Sequence, residues 1–281
     1  KKLREKVMQK ELEQNMNMGF RTFIEKDLGG LPLSIVQCGN LFRSNRQLHS
    51  LEDLFAKFRA VKLKTVDVDG LDKERYRHYL GLARSVLLTV ERMCVAEPEP
   101  GSALALLLAM SMLPGSTTPA RLFQQQPEDL KLWLKSGGGD AGGDQQKDHH
   151  DNKQESDDEK KNSQESSLFV HLDLFDSSSE TFESARELLQ SYGLLQPAAS
   201  GSNGVGVVHN LVQRCVREEL ASGSAAGEGD LTSVVAAAQS ARPVLATLRQ
   251  VILHKMKDGA WREQQQLAAS CKVYCQYNKE D

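Results

Sequence analysis

Apolar residues recur along most of this chain at helical spacing. Leu51, Leu54, Phe55 and Phe58 fall at i, i+3, i+4 and i+7, and Ser50 with Asp53 supplies a capping box ahead of them. Residues 71–93, LDKERYRHYLGLARSVLLTVERM, are predicted to be helical. The stretch 177–195 carries a Ser/Glu start, a stripe at Phe182, Ala185, Leu188 and Leu189, and a stop at Gly193. Residues 103–113, ALALLLAMSML, are apolar on every side, which predicts a central buried helix halted by Pro114 and Gly115.

Between these stretches the breakers are explicit. Residues 1–27 read as a charged helix with a loose stripe at Leu3, Val7, Leu12, Met16 and Phe20. Two glycines then interrupt it in LGGLPLSIVQCGNLF (28–42). Pro32 suits the first turn of the next helix, where its missing N–H costs nothing. Leu33, Ile35 and Val36 continue that helix as its apolar part, to an end near Arg46. EPEPG (97–101) reads as a loop, and Thr118 with Pro119 as the start of a helical ARLF. LFVHLDLF (168–175) alternates in a way that suits a strand or a short helix. Residues 136–167 hold almost nothing but Gly, Asp, Gln, Lys, Glu, Asn and Ser, too little apolar surface to offset ordering, so disorder is predicted there. Residues 221–229 read as a linker of small residues, followed by helical stretches at 231–240, 243–257 and 261–277.

One stretch changes period within a few residues. In GVGVVHNLVQRCVREEL (204–220) a β-type run, Val205 to Val208, leads through His209 and Asn210 into a helical stripe of Leu211, Val212, Cys215, Val216 and Leu220. Leu194 to Gln196, the small-residue loop after it, and Val205 to Val208 are predicted to form a β-hairpin. Asn210 is the expected N-cap, which sets His209 at the mouth of a helix, where free N–H groups and the dipole favour an anion.

Composition adds limits. The chain has 281 residues, 26% of them charged, a net charge of −3 and 6% aromatics, so nothing in its overall charge points to nucleic acid or to a membrane surface. The longest apolar run is roughly half the ~20 residues a membrane span needs. Five scattered cysteines (Cys38, Cys94, Cys215, Cys271, Cys275) argue for a reducing compartment rather than a disulfide framework. A cytoplasmic location is expected. The chain opens on KKLREKVMQK rather than on methionine, and reads as a piece of a longer protein.

The order of these motifs resembles the C-terminal half of the NB-ARC module of STAND-type signalling ATPases, in the variety followed by tetratricopeptide repeats. LGGLPLSIVQCGNLFRSN is similar to that family's "GLPL" motif, and SLEDLFAKF to the segment that follows it. LALLLAMSMLPGSTTPARLF resembles the opening of its winged-helix subdomain, ELLQSYGLLQ with VVHNLVQRCVREEL the stretch carrying its "MHD" motif, and WREQQQLAASCKVY the passage into the repeats. The resemblance implies a mainly α chain: a helical subdomain (1–97), a winged-helix subdomain with a small β-hairpin (98–221), a linker (222–241) and a helical segment leading into repeats (242–281). It also implies that Gly30, Leu31 and Pro32 lie against a bound adenine nucleotide and that His209 meets the β-phosphate of ADP. The family's aspartate is replaced by Asn210 here.

No GxxxxGK[ST] phosphate loop is present, nor a local signature of a nucleophile–base pair or of a metal-ligand cluster. The sequence is therefore expected to provide no catalytic residue, no metal ligand and at most half of a nucleotide site. ADP or ATP is expected only alongside an upstream phosphate-loop domain, the implied partner, with other proteins met through the repeats. Two other readings compete. A nucleotide-free helical interaction scaffold would use the same motifs for packing alone. A winged-helix nucleic-acid binder would need a basic recognition helix, whereas SETFESARELLQSY carries three Glu against one Arg.

Overall fold

The computed structural model describes residues 18–45, 48–61, 63, 73–113, 120–123, 172–197, 206–221 and 232–258, and it is mainly helical. The predicted segments at 1–17, 124–171 and 259–281, the loop at 66–70, the tip of the hairpin and Pro114 to Pro119 lie outside the described residues.

The first described residues are helical and pass into a π-helical turn, Phe23–Asp27. Phe23, not Phe20, enters the core: it is 1% exposed against 41%. Its ring stacks on Phe55 at 4.2 Å and meets Phe58 edge-on at 5.1 Å. Helix α1 (Pro32–Ser44) and helix α2 (Leu51–Ala60) follow. The capping box of α2 forms as predicted, with Ser50 Oγ accepting from Asp53 N at 3.1 Å and Asp53 Oδ2 accepting from Ser50 N at 3.0 Å. Ser50→Ala is expected to lower stability by about 1 kcal/mol, read as a shift in urea midpoint without a change in slope.

Helix α3 (Lys73–Ala96) is the long strut against which α1, α2 and the π turn pack. Lys57 of α2 bridges to Glu91 of α3 at 3.0 Å, and Arg59 reaches Asp27 of the π turn at 2.7 Å. After a short loop comes α4 (Gly101–Ser111), which is buried from Ala103 onward, as its unbroken apolar sequence requires. Helix α5 (Glu180–Ser191), capped by Ser179, packs along it. Two 3₁₀ turns, Ala120–Phe123 and Leu172–Phe175, dock beside them: Phe123 sits 5.7 Å from Phe175 and 5.5 Å from Phe182 between ring centroids. Of the alternatives open for residues 168–175, the described part is thus a short helical turn.

The chain then returns to α3 and α4. Helix α6 (Asn210–Cys215) runs directly into a second π turn, Val216–Ala221. Gln213 Nε2 donates to Met110 O at 3.2 Å and Arg217 Nη1 donates to Ser111 O, so this segment caps the C-terminal carbonyls of α4. Among the described residues the hairpin amounts to one antiparallel bridge, Gln196 with Val207, joined both ways at 2.9 and 3.0 Å. Among the described residues no winged-helix sheet is seen.

Helix α7 (Thr232–Ala241) and helix α8 (Pro243–Asp258) close the described fold. The first of them is the helical stretch predicted at 231–240, inside the range 222–241 that the resemblance assigns to a linker. Val234, Ala238 and Ala241 are all at most 3% exposed, because small side chains at i, i+4 and i+7 let α7 lie close on α4 and α3. All these elements share one hydrophobic core. Among the described residues no helix is long and apolar enough to cross a membrane.

Candidate functional site

The GLPL turn is built by its glycines. Leu28 N donates to Phe23 O at 2.9 Å and Gly30 N to Ile24 O at 2.8 Å, closing the π turn. Gly29 and Gly30 hold φ of 66° and 70°, left-handed values that a side chain resists. Gly29 must also be glycine for space, since a Cβ there would lie 2.7 Å from Nδ1 of His78. Leu31 is extended and N-caps α1, its carbonyl accepting from Ile35 N at 3.1 Å. Pro32 occupies the first helical position, as predicted. Gly30 and Pro32 are exposed and Leu31 is half-buried, so the turn presents itself to the outside.

His209 is the N-cap of α6, a correction to the expectation that Asn210 would be. Its Nδ1 accepts from Leu211 N at 3.2 Å, while Asn210 is exposed in the first helical position. The imidazole sits in reach of the second helical amide and takes the acceptor role usually filled by a hydroxyl or an amide oxygen. One N–H at the helix mouth is thereby occupied, which reduces its capacity for an anion. In the neutral ring an accepting Nδ1 leaves the proton on Nε2.

The two halves of the candidate site are seated on consecutive residues of α3. Gly29 lies against His78, and the Arg214 guanidinium of α6 stands over the ring of Tyr79, 5.0 Å from its centroid. Arg214 is held there by Glu218 at 2.7 Å. Burial above all, helped by Cys215 and Glu218, pushes the Tyr79 phenol well above its ordinary range, so it stays protonated. Gly81 completes the seating: a Cβ there would lie 2.7 Å from Asp27 O.

Two cavities among the described residues do not suit a phosphate. One of about 250 Å³ lies behind the turn, lined by Phe23, Ile24, Leu28, Ile35 and Phe42, with Cys38 at its wall. It is apolar. Another of about 360 Å³, between the starts of α4 and α5, carries the carboxylates of Glu99 and Glu180 and would repel a polyphosphate. Burial pushes the Cys38 thiol up to about 12 and the Cys94 thiol up to about 11, so neither supplies a thiolate near neutral pH. Among the described residues no group of three or more His, Cys, Asp or Glu is placed to hold a metal ion.

One buried residue of α1 is not apparent from the sequence pattern. Gln37 is 0% exposed, while Val36, part of the predicted apolar stretch, is 56% exposed. The buried face is Ser34, Gln37, Cys38 and Leu41, spaced i, i+3, i+4 and i+7. That spacing was the available signal, concealed by two polar members.

Compared with protein-family models, curated proteins and solved structures, the chain has no match.

Proposed function

We propose that this chain is the regulatory part of a STAND-type, nucleotide-dependent switch. It senses ADP against ATP when joined to a phosphate-loop domain and relays the change to a helical repeat array in signalling. The observation that carries this proposal is the state of His209. Its Nδ1 is engaged at Leu211 N, which puts the ring proton on Nε2, the donor a phosphate oxygen requires. The exposed Gly30–Leu31–Pro32 turn supplies the second, apolar surface, for the adenine side of the nucleotide. Neither half contributes a nucleophile, so hydrolysis belongs to the absent domain.

A hydrogen bond to a charged group contributes about 1.5–3 kcal/mol. In a polypeptide extended upstream through a phosphate-loop domain, His209→Ala is thus expected to weaken ADP retention by about 10- to 100-fold. Unchanged ADP affinity would overturn the proposal. The 281-residue chain alone is expected to show no tight ADP binding by calorimetry, and a sub-micromolar Kd would contradict the half-site assignment.

A second reading, a nucleotide-free helical interaction scaffold, is favoured by the same hydrogen bond, because capping α6 already gives His209 a structural role. It requires His209→Ala to affect stability alone.

A further inference from the structure

Helix α1 makes one connection that lies outside both halves of the candidate site. Gln37 is fully buried on the face of α1 turned away from solvent, and its Nε2 donates to the carbonyl of Gly193. Its Oε1 lies 3.4 Å from Thr89 Oγ1 of α3, whose hydroxyl donates at the shorter distance of 2.7 Å to Ser85 O. The glutamine is therefore held between α3 and the turn that ends α5.

Gly193 is shaped to receive it. Its φ of 68° is left-handed, and a Cβ there would stand 2.7 Å from Asn40 Nδ2 and 3.4 Å from Gln37 Nε2. Two residues on one face of α1, an i, i+3 pair, thus close on a single glycine. The same turn is locked from its own side by Leu194 N donating to Leu189 O at 2.9 Å. Just beyond it, Gln196 and Val207 exchange both backbone hydrogen bonds, and Val207 stands shortly before the His209 cap.

We infer that Gln37 and Asn40 form a latch that couples α1 to the base of the hairpin, with Gln37 positioning His209 relative to the Gly30–Leu31–Pro32 turn. A buried primary amide is costly to strand without partners, so it specifies one arrangement where an aliphatic side chain would accept several. The path is continuous: Pro32 starts α1, α1 carries Gln37, Gln37 holds Gly193, and Gly193 leads into the Gln196–Val207 bridge ahead of His209. Packed, hydrogen-bonded contacts of this kind hold or break rather than stretch. The latch concerns the geometry of the two halves and stands whether or not a nucleotide lies between them.

Its test needs no ligand. In the 281-residue chain, Gln37→Met keeps the side-chain volume and removes the donor. Residue-resolved amide exchange is expected to accelerate about tenfold at Gln196 and Val207, the loss of one hydrogen bond, while Leu106 to Met110 in α4 keep their protection. The nitrogen shifts of the His209 ring are expected to move toward tautomer averaging. Asn40→Ala, at a half-buried position, is expected to give the same pattern more weakly. Unchanged exchange at Gln196 and Val207 in both variants would overturn the latch. So would uniform acceleration across α3 and α4, which would make Gln37 a core residue with no directed role.

Discussion

Leu106→Ala lowers the unfolding free energy by about 2–5 kcal/mol, a large stability loss for a single truncation. Leu106 is 0% exposed in the middle of α4, and α4 is enclosed by α5, α6 with its π turn, α7 and α8. A cavity opened there cannot be filled by the movement of one neighbour, because each neighbour is held by others. The cost should therefore fall in the upper part of that range. Urea unfolding followed by circular dichroism would show a lower midpoint at unchanged slope. Val36→Ala is the companion control: at 56% exposure it should stay within about 0.5 kcal/mol of the parent. A loss below about 1 kcal/mol for Leu106→Ala would mean that α4 is not the core helix.

Gly81→Ala should destabilise by about 1–3 kcal/mol, although alanine normally improves a helix. The new Cβ would lie 2.7 Å from Asp27 O and 2.8 Å from both Leu28 C and Leu28 Cα. Those are backbone atoms and cannot rotate aside, so α3 and the first π turn would have to separate. The seat of Gly29 on His78 is only one turn away and should loosen with them. Gly39→Ala gives the opposite sign. Gly39 is exposed on α1 with nothing within 4 Å of its added Cβ, so a gain of about 0.5–1 kcal/mol is expected there. Matching signs for the two substitutions in thermal or urea melts would rule out the close crossing.

Much of the helical framework was legible in the chain itself. The capping box of α2, the Gly-Gly break, Pro32 at the first position of α1, the uniformly apolar α4 and the glycine stop after α5 are local features, and each formed where its residues indicated. The buried face of α1 was concealed because partners distant in sequence decide it. Gln37 looks like an outward position until Gly193 and Thr89 are brought to it, whereas Leu33, Ile35 and Val36 stand out in the sequence as the apolar part of the helix. Asn210 is the better N-cap by propensity, yet the imidazole of His209 was in reach of Leu211 N and took the role. Residues 232–241 form the helix predicted at 231–240, and their small side chains are what lets α7 pack closely. For the candidate site, the exposure of Gly30 and Pro32 and the proton position on His209 came only from the fold.

The capping of α4 by Gln213 and Arg217 has a consequence for synthesis. Gln213 is 103 residues from Met110, and Arg217 is 106 residues from Ser111. At ordinary translation rates the ribosome needs about 5–20 s to make that interval. For that time the least polar of the described helices has emerged without the groups that close its C-terminal end, and without α5, α6, α7 and α8 to cover its sides. The nascent chain should therefore be a client for chaperones that hold apolar segments, with release tied to the arrival of the His209 region. Slowing translation between Ser111 and Gln213 should then lower the soluble yield more than slowing it after Asp258.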